Sequence, residues 1–411
     1  MKFGGTSVAD LNKIKNVALR VKREADSGHQ VVAVVSAMSG TTDRLINYCI
    51  EISPLFDMRE YDVVLATGEQ VTAGLLSMAL LAFGLNARSW QGWQLPIKTD
   101  AAHSKARIDT IDCGPLIKYL CDGGIAVVAG FQGISPNARI TTLGRGGSDT
   151  SAVALAAALS ADRCDIYTDV DGIYTTDPRI VPQARKLEKI SYEEMLEFAS
   201  MGARVLQTRS VELAMNNHVR LRVLSSFQDL PGTLVLHEDE IMEAQKVSGI
   251  AYSRDDAKIT LLRVPDRPGV AAAIFGSLSD QNVNVDMIVQ NVSSDGTTTD
   301  ITFTIGKADL TRARDSLKRA RPLIGYSEIF EDANVAKISV VGVGMRSHPG
   351  VANTMFRTLA DKAINIQVIS TSEIKVSVLI SAEYTELAVR ALHTAYELDT
   401  SDGALPAGTL P

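Results

Sequence analysis

Residues Thr141 to Ala161 place several chemistry-bearing side chains between a glycine-rich turn and an Ala-rich apolar run. Gly144, Gly146 and Gly147 flank a single basic residue, Arg145, and Ser148, Asp149, Thr150 and Ser151 follow. Glycine lets a ligand come close to backbone N–H groups. The hydroxyl and carboxyl residues are good N-caps and the alanines favour helix, so the pattern predicts a loop feeding a buried helix. The free N–H groups and positive dipole end of such a helix attract anions such as phosphate. A plain capped turn would account for the glycines alone. Arg, Gly-Gly, Ser and Asp together at one helix start predict a ligand site.

Other stretches offer related chemistry. Lys2-Phe3-Gly4-Gly5-Thr6-Ser7 is a second candidate phosphate cradle, with Thr6 or Ser7 capping a helix that carries Leu11, Ile14, Val17, Ala18 and Val21. It is not a Walker A loop, whose spacing occurs nowhere in the chain. Val31–Val35 reads as a strand buried on both faces, ending in the hydroxyl-rich Ser36 to Thr42. Open α/β sheets bind ligands at such strand ends. Thr67-Gly68-Glu69-Gln70 reads as the start of an apolar helix, with Glu69 as a helix-start carboxylate. A strand over Cys164–Thr168 runs into Asp169, Asp171 and Asp177. These carboxylates could hold Mg²⁺ or a ribose hydroxyl, or form only Asp-Gly and Asp-Pro turns. Strands and helices alternate to about Phe227, which predicts a three-layer α/β domain with a mostly parallel sheet.

The whole chain has 411 residues, 45% hydrophobic and 22% charged, with a net charge of -7. That length predicts two or three domains, and the acidic balance without a basic stripe argues against nucleic-acid binding. No apolar run is expected to span a membrane, and no signal-type segment is seen at the N-terminus. Cys49, Cys113, Cys121 and Cys164 lack metal-type spacing and read as the reduced thiols of a cytoplasmic protein.

Past the turn at Pro231-Gly232 the chain repeats itself. Pro268-Gly269-Val270-Ala271 recurs as Pro349-Gly350-Val351-Ala352, and Phe275, Leu278, Asp280, Asn284 and Ile288 recur at the same offset of 81 residues. The period suits two copies of one small α+β domain. The first copy reads as four strands and two helices. The second lacks a closing strand, because the tail from Glu397 is polar and bears Gly and Pro. Val247–Ser253 is an unassigned strand-like segment, and we expect it to pair with the second copy's sheet, where it would cover an open edge.

These blocks together resemble the aspartate kinase (aspartokinase) family, an amino-acid kinase domain followed by two ACT domains. KFGGTS at Lys2–Ser7, SAMSG at Ser36–Gly40, TGEQ at Thr67–Gln70, TTLGRGGSDTSA at Thr141–Ala152 and TDVDGIYTTDPR at Thr168–Arg179 carry the resemblance, in order. It implies a kinase domain over 1–228, a linker over 229–256 holding the strand 247–253, and ferredoxin-like ACT domains over 257–332 and 333–411. It implies phosphoryl transfer from ATP, with Mg²⁺, to L-aspartate, giving 4-phospho-L-aspartate on the way to lysine, threonine and methionine. The acceptor is the substrate's own carboxylate, already ionised, so positioning and charge stabilisation are what the protein must supply.

By the same resemblance, Lys2, Arg145 and Asp149 are catalytic. Ser36, Thr42, Glu69, Arg145 and Ser148 contact aspartate, with Arg145 suited to its α-carboxylate. Lys2, Gly4, Gly5, Thr168, Asp169, Tyr174, Asp177, Arg179 and Arg204 line the nucleotide site. Arg204 stands where many family members have lysine, and only Met1 precedes Lys2 where they have a longer apolar strand. Mg²⁺ is expected on phosphates and water, so no protein metal cage is implied. Lysine, threonine or both are expected as effectors where the ACT copies pair, held by Asp266, Gln290, Asn291, Asn365, Ser372 and Glu373. The expected assembly is a homo-oligomer, or an α2β2 heterotetramer whose ACT-only β subunit starts internally at Met242. Two other readings stay open: another carboxylate kinase of this fold, and an amino-acid sensor that has lost turnover.

Overall fold

The computed structural model describes all residues except 202–204, 242–245, 293–295, 349 and 400–411. It divides into two units, Met1–Ile173 with Lys186–Glu243, and Tyr174–Arg185 with Ala244–Pro411.

In the first unit the elements run β1 (Lys2–Phe3), α1 (Leu11–Asp26), β2 (Val32–Val35), α2 (Thr41–Ile52), α3 (Met58–Ala82), β3 (Ala87–Trp90), β4 (Ile97–Thr99) and β5 (Ile108–Ile111). There follow α4 (Gly114–Cys121), β6 (Ile125–Ala129), β7 (Gln132–Ile134), β8 (Ile140–Thr142), α5 (Gly147–Ala158) and β9 (Cys164–Thr168). The unit closes with β10 (Lys189–Ser191), α6 (Tyr192–Ser200), α7 (Thr208–Asn216), β11 (Leu221–Ser225) and β12 (Thr233–Leu236). Eight strands form one sheet in the order β10-β12-β11-β9-β1-β2-β6-β3, parallel except where β11 meets β12. β5, β4, β7 and β8 form a smaller sheet.

The apolar β-branched runs take the centre. All five residues of β6 are buried, as a strand covered on both faces requires. One face packs on α1 and α3 through Phe3, Ala33, Val35, Val127, Leu76 and Leu80. α5 lies on the other face and buries every residue from Gly147 to Ala156, so its Ala-rich composition suits close approach to the sheet. Strand β1 has two residues, yet it sits mid-sheet, with Lys2 opposite both Val34 and Ile166.

Four expectations need correction here. Asp10, not Thr6 or Ser7, caps α1, accepting from the Lys13 amide at 2.9 Å. Ser148 to Ser151 do not cap α5 but form its first turn, with Gly146 at the N-cap. The Thr67–Gln70 block lies inside α3, which Asp57 caps ten residues before Thr67, so Glu69 is a mid-helix carboxylate. The α/β domain does not end near 228: Pro231-Gly232 makes the turn between β11 and β12, and β12 belongs to the main sheet.

α3 is also long and apolar enough, by length and composition, to cross a membrane. Half of that stretch is buried in the unit, and it carries the buried carboxylates of Asp62 and Glu69. Its apolar content serves the α/β core.

The second unit continues with β13 (Gly249–Ser253), β14 (Asp256–Pro265), α8 (Val270–Ser279), β15 (Val285–Val292), β16 (Thr298–Gly306), α9 (Leu310–Ile324) and β17 (Glu328–Asp332). Then come β18 (Val335–Val341), α10 (Val351–Asp361), β19 (Val368–Thr371), β20 (Lys375–Ser381) and α11 (Thr385–Ala395). The first repeat gives the sheet β15-β16-β14-β17 and the second gives β13-β18-β20-β19. The duplication is geometric: α8 and α10 each follow a left-handed glycine, Gly269 at φ 91° and Gly350 at φ 105°. β13 occupies in the second sheet the place that β17 fills in the first, pairing antiparallel with β18 from Gly249↔Val341 to Ser253↔Lys337.

Candidate active site

Six segments of the first unit line one cleft of about 330 Å³: the end of β1, the turn after β2, the start of α2, the middle of α3, the turn after β6 and the turn into α5. It opens where the sheet order reverses beside β1, the usual place for ligands in open α/β sheets.

Strand alternation sends Phe3 into the core with α1 and turns Lys2 to the α5 side. There Lys2 Nζ lies 2.6 Å from Asp149 Oδ1, with both side chains about nine-tenths buried. The carboxylate offsets part of the cost of burying the lysine charge at the floor of the cleft. Gly4 and Gly5 keep the approach narrow. A Cβ at Gly5 would stand 3.0 Å from Ala37 O, and one at Gly4 would stand 3.3 Å from Lys2 Nζ.

Glu69 reaches the cleft from α3 because Gly68 lets the helix pack closely: a Cβ there would meet Ala37 Cβ at 2.7 Å. Its Oε1 accepts from the Ala37 amide at 2.9 Å, while Oε2 is buried without a hydrogen-bond partner. Burial raises its pKa to about 7, against the pull of the Ala37 amide. Arg145 lies on the same cleft, exposed, with no hydrogen bond or ion pair among the described residues. Ser36, Thr42 and Ser148 complete the expected group.

The cleft therefore gathers Lys2, Gly5, Ser36, Thr42, Glu69, Arg145, Ser148 and Asp149. Gly4 adjoins it through Lys2. Thr168 and Asp169 end β9, where Thr168 Oγ1 donates to Asp169 Oδ1 at 3.1 Å, and they do not line the cleft. Tyr174, Asp177 and Arg179 belong to the second unit. There Asp177 accepts from Arg179 and from the Tyr252 hydroxyl, at 3.1 Å for the latter. Arg204 lies outside the described residues, as does Met242.

In the first ACT sheet, Asp266 and Gln290 line a cavity of about 340 Å³ around the Pro268-Gly269 turn. Asn291 is held in β15, its carbonyl accepting from Thr299 Oγ1 at 2.9 Å. Asn365, Ser372 and Glu373 lie in the second ACT copy and do not line that cavity. Among the described residues no group of His, Cys, Asp and Glu is placed to hold a metal.

Sequence reasoning passed over Met38, Asp43 and Phe131, which line the cleft, and Gln207, which packs on its glycine loop. A Cβ at Gly146 (φ 70°) would stand 1.8 Å from Gln207 Cγ, so only glycine fits both the turn and its neighbour. Asp62 was also passed over. It precedes Glu69 by two helical turns, so a helix start at Met58 would have placed both carboxylates on one buried face.

The profile of the Amino acid kinase family matches residues 1–225, and ACT domain profiles match 258–322 and 338–396. The aspartokinase of Pseudomonas aeruginosa is 58% identical over 400 residues, 97% of each chain. The chain belongs to the amino acid kinase family, among its aspartokinases. The aspartokinase of Corynebacterium glutamicum is 46% identical over 409 residues, 98% of this chain and 97% of that one. Among solved structures, E. coli aspartokinase III in complex with aspartate and ADP (R-state) superposes with a TM-score of 0.80 at 26% identity, covering 96% of this chain and 98% of that one. The same protein in complex with lysine and aspartate (T-state) gives 0.73, again at 26% identity and with 96% and 98% covered. The site just described thus sits in an enzyme of the aspartate kinase class.

Proposed function

We propose that the cleft binds L-aspartate beside ATP and transfers the γ-phosphoryl group to the β-carboxylate, giving 4-phospho-L-aspartate and ADP, the first step towards lysine, threonine and methionine. The observation that carries this is a buried, half-paired carboxylate, Glu69, sharing a cleft with an unpaired guanidinium, Arg145. A zwitterionic amino acid answers both: its ammonium pairs with Glu69 and its α-carboxylate takes the Arg145 fork. The side-chain carboxylate is then free to meet a phosphoryl group near Lys2 Nζ. The complex of E. coli aspartokinase III with aspartate and ADP supports the same substrate pair.

Gly4 and Gly5 fit a phosphate, because a side chain at Gly4 would crowd Lys2 Nζ and one at Gly5 would crowd the Ala37–Ser39 backbone. Mg²⁺ supplies charge neutralisation on the phosphates when bound, held by them and by water. Lys2 holds its cation in place before substrate arrives, so charge developing in transfer meets a preorganised partner. The test is ADP release with aspartate, glutamate and acetylglutamate. Turnover with aspartate alone is expected; turnover with acetylglutamate, or with none, would favour the rival kinase or sensor readings.

We place an amino-acid effector, lysine, threonine or both, in the ACT module. Support comes from the polar cavity at the Pro268-Gly269 turn and from the lysine complex of E. coli aspartokinase III. A cytoplasmic homo-oligomer, or an α2β2 assembly with an ACT-only subunit starting at Met242, follows from the same reading. Native mass and the loss of any short product in Met242→Leu test it.

A further inference from the structure

The glycine turn that carries Arg145 is gripped from both sides by residues outside the cleft. Asp62, fully buried on α3, accepts from Thr142 Oγ1 at 2.5 Å and from the Ser104 amide at 3.0 Å, and its Oδ2 lies 2.7 Å from His103 Nδ1. Arg209, on α7, donates to Leu143 O at 3.0 Å and to Ala106 O at 2.9 Å. The Ala106 amide donates to Thr142 O at 2.9 Å, joining the two gripped segments. Thr142 and Leu143 immediately precede Gly144, whose Cβ, if present, would stand 3.1 Å from Ser104 O.

We propose that Asp62 and Arg209 are positioning residues that fix the 142–147 turn between the 103–106 loop and α7, and so aim Arg145 at the substrate α-carboxylate. Arg145 itself is exposed and unpaired, so nothing on its own side chain fixes its direction. Its aim depends on the backbone beneath it, and a flexible side chain on a loose backbone loses the gain of a bidentate pair. Asp62 supplies a carboxyl group that accepts from both segments, and Arg209 supplies two donors to two carbonyls. Neither lines the cleft.

The proposal rests on reading Arg145 as the α-carboxylate ligand, and the test separates the two. Asp62→Asn, Arg209→Ala, Arg209→Lys, Arg145→Ala and the double variant Arg209→Ala/Arg145→Ala are compared for kcat, both KM values and amide exchange over residues 142–147. Arg209→Ala is expected to raise KM for aspartate about tenfold with kcat and KM for ATP within about twofold, Arg209→Lys to recover part of this, and the double variant to match Arg145→Ala alone. Exchange should quicken in Asp62→Asn and Arg209→Ala but not in Arg145→Ala. If the two substitutions add fully, or exchange in Arg209→Ala stays at the wild-type rate, the clamp is refuted. An unchanged KM for aspartate in Arg145→Ala overturns the Arg145 reading instead, while quickened exchange would still uphold the clamp. Because Arg209 is only part-buried, its variants keep the test open even if Asp62→Asn fails to fold.

Discussion

The cleft of the kinase unit and the cavity of the first ACT sheet have nearly the same volume, about 330 and 340 Å³, but opposite construction. The cleft is built from buried ionisable groups: Lys2, Asp149 and Glu69 are each under a tenth exposed. The cavity is built around a backbone turn, and its charged and amide side chains, Asp266, Arg267 and Gln290, are exposed. Burying charge costs several kcal/mol per ion unless partners repay it. A site that carries that cost before substrate arrives has its electrostatics set in advance, which suits stabilising a transition state. Exposed groups around a turn are cheap to expose and to cover, which suits a ligand that comes and goes. On the proposed reading of the two sites, the difference is one between catalysis and sensing.

The sharpest way to break this contrast is at Lys2. If the buried cation acts on the transferring phosphoryl group, Lys2→Ala should lower kcat at least about a hundredfold, the scale for one lost transition-state donor. Near-normal turnover would reduce the Lys2–Asp149 pair to a structural device. Arg145→Ala should act next, raising KM for aspartate about tenfold or more while leaving KM for ATP near its starting value.

Glu69 sharpens the contrast through pH. Its carboxyl titrates near 7 when the cleft is empty, and only the ionised form attracts an ammonium. Hence kcat/KM for aspartate should fall as pH drops below about 7, towards tenfold per unit. In Glu69→Gln that limb should vanish, with a lower plateau above pH 7. An unchanged acid limb in this variant would assign the titration elsewhere. On the cavity side, Asp266→Ala should relieve amino-acid inhibition by about an order of magnitude with kcat unchanged, because its removal disturbs no buried charge. A parallel loss of kcat would mean that the cavity is not a separate site.

Much of this was legible in the chain, for identifiable reasons. Val31–Val35 and Ile125–Ala129 are unbroken apolar runs, and strands buried on both faces leave that mark. β13 was legible by subtraction, since the second repeat had no fourth strand of its own. The start of α3 was not, because Gly68 resembles a helix boundary when its close contact with Ala37 cannot be seen. β12 was missed because Pro-Gly signals a turn but not whether the chain leaves the sheet or returns to it. Asp62 and Arg209 were invisible for a third reason: their partners lie about forty to a hundred residues away, and no local spacing marks such a bond. The segment Tyr174–Arg185 has the same character. Its motif resembles a nucleotide loop, yet Ile180, Val181 and Ala184 pack in the core of the second unit.

That segment carries the smallest expected effect, and it also concerns pH. Thr175 is its anchor. Its carbonyl accepts from the Ile250 amide of β13 at 2.7 Å, and its Oγ1 accepts from the Arg185 amide at 3.0 Å. The same Oγ1 lies 2.9 Å from Nε2 of His393 on α11. Thr175 is fully buried, and among the described residues Nε2 of His393 is the ring atom in hydrogen-bond reach of its hydroxyl. Burial disfavours the charged imidazole of His393 and pushes its pKa below the ordinary 6.5 against the opposing pull of Asp399. The sign follows from linkage: below about 6.5 the unfolded chain binds a proton that the folded unit refuses. The stabilisation is complete above that pH and drains away as pH falls towards the lower folded value. Glu69 works in the other direction. Its raised pKa stabilises the kinase unit most below about 4.5, and the contribution is lost as pH rises through about 7. The two units should thus shift oppositely in a pH series of hydrogen exchange. Between pH 7 and 5, amides of Ile250 and its β13 neighbours should lose protection while those of α3 around Glu69 gain it. His393→Gln, whose side chain cannot titrate, should flatten only the first trend. If protection in β13 declines equally in that variant, the Thr175–His393 bond is not what couples the segment to α11, and the second unit's pH response has another source.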